Sequence, residues 1–365
     1  MNKNFISPAG IFSYIFVVRM LAAVMIIVTK DNVFFDSDLL LRPFLMIIII
    51  FIVSMPVLIY TKKFAGTGII EAAGQINPFY GKLIAFIYIF FYLYIAVRAV
   101  SRFDLYSNSV MFPDIDMTFF IAILIIACAY NSLTGLRTLG RTSGILAVLF
   151  IVVSLAILSV SAKEIDFINL TPFFLDGAGT FVKDSFASAS YTFDICLIPL
   201  LSSRIKGDIT KHFYIWCGLV FLFIFLESAI VVATLGNFAN TQMFPSFSIS
   251  SIGDIGVFKR LDALETANWT FGIVLRLSFI IFTCTDTFSA IFPKANKRVV
   301  TAVVAVIIFA FTTFVSQKIN RFLILTEQYN LIIIYIFVVA FLPSAVLIGN
   351  KKLERSKKSE KSNAV

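Results

Sequence analysis

Six ionisable side chains fall inside long apolar runs of the sequence: Arg19, Arg98, Asp194, Glu227, Arg276 and Asp286. A charge surrounded by hydrocarbon is costly, so such residues pair with one another or mark a site for a charged ligand. Arg19 lies near the middle of the first apolar run and Asp194 near the middle of the sixth, and the two are expected to face each other. Two readings fit that pair. It is a salt bridge that neutralises two buried charges, or Arg19 clamps a ligand carboxylate while Asp194 takes the amino group. Arg98, Glu227 and Arg276 fall toward one common end of their runs, as members of a gate or charge network, or as packing and snorkelling residues. Asp286, toward the opposite end, suits a proton or cation site, or a carboxylate reaching water near Lys294.

Hydroxyl groups add to this set. The stretch SFASASYTFDICLIP packs Ser185, Ser188, Ser190 and Thr192 ahead of Pro199. A span broken there would offer freed backbone groups and hydroxyls to a zwitterion, although small and hydroxylated residues also serve plain helix packing. Tyr94 can cover such a site as an aromatic lid. Chemistry of other kinds lacks carriers. Cys128, Cys196, Cys217 and Cys284 sit in apolar runs without C-x-x-C spacing, as small buried hydrophobes. His212, the one histidine, lies in a basic loop beside Lys211. No catalytic residue, metal ligand or cofactor is assigned, and the chain is not expected to be an enzyme.

The elements that position these residues follow from composition. The 365 residues are 59% hydrophobic and 14% charged, with a mean hydropathy of +0.94. Soluble domains run near 45–50% apolar and 25% charged, so the soluble enzyme classes are excluded. Ten runs are long enough to cross about 30 Å of hydrocarbon, at roughly 7–29, 39–60, 82–104, 117–133, 144–162, 182–203, 213–236, 269–292, 299–316 and 329–349. The apolar core of the first, from Ile11 to Val28, exceeds the h-region of a signal peptide, which predicts a retained helix. One transmembrane domain over 1–350 and a basic cytoplasmic tail over 351–365 are expected.

Loop charges alternate along the chain. One set of loops and termini holds Lys3, Lys62, Lys63, Lys82, Arg137, Arg141, Arg204, Lys206, Lys211, Lys294, Lys297, Arg298 and the basic tail, while the alternate loops hold most of the acids. Cytoplasmic loops are enriched in Lys and Arg, so both termini are expected in the cytoplasm. The net charge of +9 is then a membrane signal and no sign of nucleic-acid binding. Two sets of five spans have opposite orientations because five is odd. An all-α fold with a 5+5 inverted repeat is therefore expected, with repeat 1 over about 7–162 and repeat 2 over about 182–349. Ile252 to Leu264 reads as an amphipathic interfacial helix, a lid, a subunit contact or a passive surface element.

The segment from Phe244 to Trp269, FPSFSISSIGDIGVFKRLDALETANW, resembles the region before the eighth helix of the spore germination permeases, the B subunits of nutrient germinant receptors. The resemblance is carried by Phe244, Pro245, Arg260, Asp262 and Trp269, with weaker likenesses in GLRTLGR (Gly135 to Arg141) and LTPFFLDG (Leu170 to Gly177). It implies the amino acid-polyamine-organocation superfamily and a ten-helix, leucine-transporter-like fold. It further implies a nutrient-sensing subunit working beside A and C subunits in the spore inner membrane, with a small nutrient, an amino acid or similar, bound at the midplane. In that fold Thr283 and Thr285 sit where hydroxyls serve the ligand or an ion. Family members usually carry glycine where the first helix unwinds, whereas here no glycine occurs between Gly10 and Gly66 and Arg19 occupies the region. An amino-acid or polyamine secondary transporter coupled to H⁺ or Na⁺ is the alternative.

Overall fold

The computed structural model describes residues 5–24, 37–111, 116–171, 173, 177–252, 261–318, 321–322, 325 and 328–363. The described chain is helical: α1 (Pro8–Val24), α2 (Arg42–Lys63), α3 (Ile69–Ile76), α4 (Pro78–Tyr106), α5 (Thr118–Ser132), α6 (Leu136–Ser161), α7 (Gly177–Ser190), α8 (Leu197–Leu200), α9 (Ile209–Leu235), α10 (Pro245–Ile252), α11 (Asp262–Ile291), α12 (Lys297–Ser316), α13 (Gln328–Tyr335) and α14 (Leu342–Asn363). Among the described residues β-structure is limited to a bridge between Ile6 and Ile205, where Ile6 N–H donates to the Arg204 carbonyl at 3.0 Å. Seven helices are long and apolar enough to cross a membrane, and α1 and α5 are shorter apolar helices. The protein is a multi-pass membrane protein.

Lengths and ends follow from local sequence. Asn77 caps α4 by accepting from Phe79 N–H at 2.9 Å, with Pro78 at the first helical position, where its missing N–H costs nothing. Asp208 caps α9 through Lys211 N–H at 3.0 Å, and Asn296 caps α12 through Arg298 N–H at 3.0 Å. Each cap satisfies donors that lipid cannot. His212, expected in a loop, lies in the first turn of α9, where its Nδ1 meets the Asp208 carbonyl oxygen at 2.7 Å. On α2, Phe44, Ile48, Ile52, Met55 and Ile59 form one exposed apolar stripe. Such a stripe suits lipid, and the opposite face of α2 is buried.

Polar and small groups hold the helices together, as expected where lipid is as apolar as the side chains. α1 crosses α6 so closely that a Cβ on Gly10 would stand 3.1 Å from the Gly140 carbonyl oxygen. Ser143 Oγ donates to the Gly10 carbonyl at 2.7 Å across the same crossing. α11 is the most enclosed of the seven long helices, with 72% of its apolar window inside the molecule, and it packs on α1, α4, α5, α6 and α12. Other contacts join α1 to α9, α2 to α7 and α9, α4 to α12, and α7 to α13. The four cysteines are buried and unpaired.

The sixth apolar run is broken. α7 stops at Ser190, Tyr191 and Thr192 form a turn, Phe193–Cys196 is a 3₁₀ segment, and α8 follows. The local cause is side-chain competition for backbone acceptors: Ser190 and Thr192 hydroxyls donate to Ala187 and Ala189 carbonyls, each at 2.6 Å. Pro199, just beyond, has no N–H to offer. α1, by contrast, is an unbroken helix from Pro8 to Val24, with no glycine after Gly10. The expected interfacial helix over Ile252 to Leu264 falls largely on 253–260, outside the described residues. α10 ends at Ile252 and α11 begins at Asp262.

Candidate functional site around the broken helix

The break puts Asp194 in the interior, 1% exposed. Its partner is not Arg19. Arg276 Nη2 of α11 donates to Asp194 Oδ2 at 3.2 Å, and Tyr14 Oη of α1 to Oδ1 at 3.5 Å. The expected facing of Arg19 and Asp194 is thus corrected, for a geometric reason. Tyr14 and Arg19 are five residues apart on α1, more than one turn, so only Tyr14 reaches the level of the 3₁₀ segment. Arg19 instead donates from Nη2 to Ser188 Oγ at 3.0 Å and to Met46 Sδ at 3.3 Å. Its Nε has no hydrogen-bond partner among the described residues.

Arg19 lines a cavity of about 70 Å³ bounded also by Arg42, Asp184, Ser188, Tyr191 and Glu227. Arg42 Nη2 and Asp184 Oδ2 form an ion pair at 3.2 Å across one wall. Glu227 of α9 accepts from Ser246 Oγ of α10 at 3.1 Å. At roughly 10–15 Å³ per water this space holds several small polar groups. A cation and an anion in the lining of one cavity, Arg19 and Glu227, are what a zwitterion needs.

Two smaller cavities adjoin it. One of about 50 Å³ shares Glu227, Val231 and Ser246 and extends to Glu265, a residue 7% exposed whose Oε2 has no partner among the described residues. The other, about 30 Å³, shares Ala22 and Tyr191 and is lined by Arg98, Arg102 and Arg276 together with Phe193 and Trp269. Tyr191 stands between the largest and smallest cavities. The guanidinium carbons of Arg98 and Arg102 lie 5.5 and 5.6 Å from its ring centre, and Arg102 Nη2 donates to its hydroxyl at 3.3 Å.

Of the residues predicted from sequence, Arg19, Ser188 and Glu227 come together at the largest cavity, and Arg98 and Arg276 at the smallest. Asp194 lies behind Arg276. Ser190 spends its hydroxyl on its own helix, while Thr192 also reaches Tyr335 Oη at 3.3 Å. Tyr94 donates to the Leu325 carbonyl at 2.8 Å and lines none of the three cavities. Thr283 bonds back to Phe279, and Thr285 pairs with Thr301 of α12 at 3.2 Å. Asp286 meets Arg204 at 2.8 Å and Lys297 at 3.5 Å, where the sequence suggested Lys294. Sequence reasoning passed over Arg42, Asp184, Tyr191 and Glu265. It also passed over Arg102, although four-residue spacing puts it on the same helix face as Arg98.

The region before α11 packs on α4. Phe244 and Phe247 flank the Tyr106 ring with centres 5.2 and 5.7 Å away, and Trp269 stands edge-on to it at 4.0 Å. Tyr106 Oη is 2.7 Å from Thr266 Oγ1. The ends of the Phe244-to-Trp269 segment thus converge on one tyrosine of α4, while Arg260 lies outside the described residues.

Comparison with known proteins bears on this segment directly. The sequence matches the spore germination protein family, a family of spore permeases, over residues 11–321. The chain belongs to that family. It is also similar to spore germination protein XB of Bacillus anthracis, at 24% identity over 212 residues, which is 57% of this chain and 60% of the relative. The chain thus matches about three-fifths of that relative's length. Every residue that lines the three cavities lies within the matched residues.

Proposed function

We propose that this protein is the membrane-embedded nutrient-sensing subunit of a spore germinant receptor, binding an amino acid or similar small nutrient in the cavity between Arg19, Ser188, Tyr191 and Glu227. The observation that carries this reading is that Arg19 and Glu227 line one cavity beside a helix break. The break lets α7 and the α8 end move as separate bodies when a ligand bridges them. Binding shifts the bundle between two arrangements, and partner A and C subunits read the change. The alternation of Lys- and Arg-rich loops supports cytoplasmic termini, and the family supports the spore inner membrane.

A ten-span, 5+5 inverted-repeat, leucine-transporter-like fold is part of the proposal. Number the crossing segments 1 to 10 as α1, α2, α4, α5, α6, α7–α8, α9, α11, α12 and α13–α14. Exchanging each with the one five later sends the α1–α6 contact onto α7–α13, α1–α9 onto α7–α2, and α4–α12 onto α11–α5. It returns α4–α11 and α2–α9 to themselves. Internal repeats of this kind favour a second reading, a secondary transporter coupled to H⁺ or Na⁺.

The test is thermal unfolding of the purified chain across the twenty amino acids, common nucleosides and sugars. The proposal expects one amino acid to raise Tm in proportion to the logarithm of its concentration. Stabilisation by nucleosides or sugars alone contradicts it. Flux of the stabilising compound into liposomes holding this chain alone favours the transporter, whereas binding without flux, and loss of the chain in spores lacking A or C subunits, favours the receptor.

A further inference from the structure

Glu265 stands in the first turn of α11 and is 7% exposed. It makes no ion pair among the described residues, and its Oε2 accepts no hydrogen bond there. The hydroxyl beside it belongs to Ser250, which already donates to the Phe247 carbonyl at 2.8 Å. A hydroxyl has one proton, so Ser250 serves the carboxylate only by releasing that carbonyl. The charged groups near enough to act on Glu265 are Glu227 and Asp262, both acids, and Asp262 has interactions of its own. A carboxylate taken out of water with no counter-charge is among the most costly groups a fold can hold.

Glu265 lines a single cavity of about 50 Å³ together with Glu227 of α9, Ser246 of α10 and Ser154 of α6, and the rest of the lining is apolar. No Lys, Arg or His belongs to that lining. Glu227 has one guanidinium acting on it, that of Arg19. Two carboxylates and one guanidinium leave one negative charge, which a monovalent cation neutralises and a divalent ion overshoots. Carboxylate and hydroxyl oxygens are the ligands a hard cation takes. Calcium and the transition metals ask for a larger set, and among the described residues no three His, Cys, Asp or Glu side chains gather as such a site needs. At roughly 10–15 Å³ per water the cavity admits an alkali cation with a few waters. We infer that this cavity binds one sodium-sized alkali cation, held by the carboxylates of Glu227 and Glu265 with the hydroxyls of Ser154 and Ser246. The ion gives Glu265 the counter-charge that the described chain does not, and it ties α6, α9 and α11 to α10, which packs on all three. The site stands on these residues and does not depend on the nutrient-binding reading.

The test measures Tm and sodium binding on the native chain in lipid nanodiscs without nutrient, with sodium replacing choline at constant ionic strength and fixed pH. The expected result is a Tm that rises with the logarithm of sodium concentration while choline has no effect, and binding of radioactive sodium near one ion per chain. Glu265→Gln keeps the shape and removes the charge, so it should keep the sodium-free Tm and weaken sodium binding at least tenfold. Ser154→Ala takes away one hydroxyl ligand and should weaken binding by a smaller factor. Equal Tm in sodium and choline, with no sodium bound, overturns the inference. Sodium binding that Glu265→Gln leaves unchanged places the ion elsewhere and overturns the site. Stabilisation by acidification but not by sodium gives the charge to a proton, and stabilisation by calcium alone refutes the charge count; either overturns the inference. Should Glu265→Gln fail to fold, Ser154→Ala decides, since unchanged sodium affinity in that variant overturns the site.

Discussion

Asp194 and Glu227 are both carboxylates buried in helical spans, yet their surroundings differ in kind. Asp194 is closed in, with Arg276 on one oxygen and Tyr14 on the other, and lines none of the three cavities. Glu227 takes one hydroxyl hydrogen bond from Ser246 and otherwise faces open space shared with Arg19. A charge satisfied by protein groups on both sides fixes a structure. One satisfied on a single side can exchange space for a ligand. The difference teaches that burial alone does not mark a binding residue; the marker is an ionised group whose remaining coordination points into a cavity.

That contrast can be broken at its closed end first. Asp194→Ala leaves the Arg276 guanidinium buried without its counter-ion, which is expected to cost about 3–5 kcal/mol. It should appear as a large drop in Tm and in folded yield with or without nutrient. A variant that unfolds no earlier than wild type would show that Asp194 is not structural. Tyr14→Phe sharpens the same point more gently. It removes one long hydrogen bond at 3.5 Å and should cost about 0.5–1.5 kcal/mol in chemical denaturation. Away from the cavities Tyr106→Phe, which loses the bond to Thr266, belongs to the same range, with no change in ligand selectivity. Asp286→Asn should have the smallest effect, below about 1 kcal/mol. Its partners Arg204 and Lys297 are 27% and 62% exposed, so water takes over part of the lost pairing.

How much of this was legible in the sequence depends on what fixes each feature. Apolar runs set span positions, because a hydrocarbon solvent leaves the backbone few alternatives to helix. The seven long helices, α1 and α5 accordingly lie where the runs do. The break in the sixth run was readable from Ser190, Thr192 and Pro199, since their effect is local. The Phe244-to-Trp269 segment was readable as a family mark. Partner choice was not. Arg19 and Asp194 are both mid-run, and nothing in the linear order says that Arg276, 82 residues away from Asp194, wins the contact. The answer turned on the five residues of α1, more than one turn, that separate Tyr14 from Arg19. Nor did hydropathy reveal the Arg98–Arg102 pair on Tyr191, which exists only because the break turns that ring toward α4. Tyr94, a reasonable lid by position, faces the Leu325 carbonyl because its place on α4 points it to another neighbour.

The central claim is that the open carboxylate of Glu227 binds the nutrient while the closed carboxylate of Asp194 holds the fold. Its most direct test is Glu227→Gln, with ligand-free Tm and nutrient Kd measured on the same preparation in nanodiscs. The account predicts a Tm within a few degrees of wild type together with at least a tenfold weaker Kd, about 1.4 kcal/mol. A Glu227→Gln protein that binds the nutrient as tightly as wild type, or that loses its fold as Asp194→Ala is expected to, would contradict it.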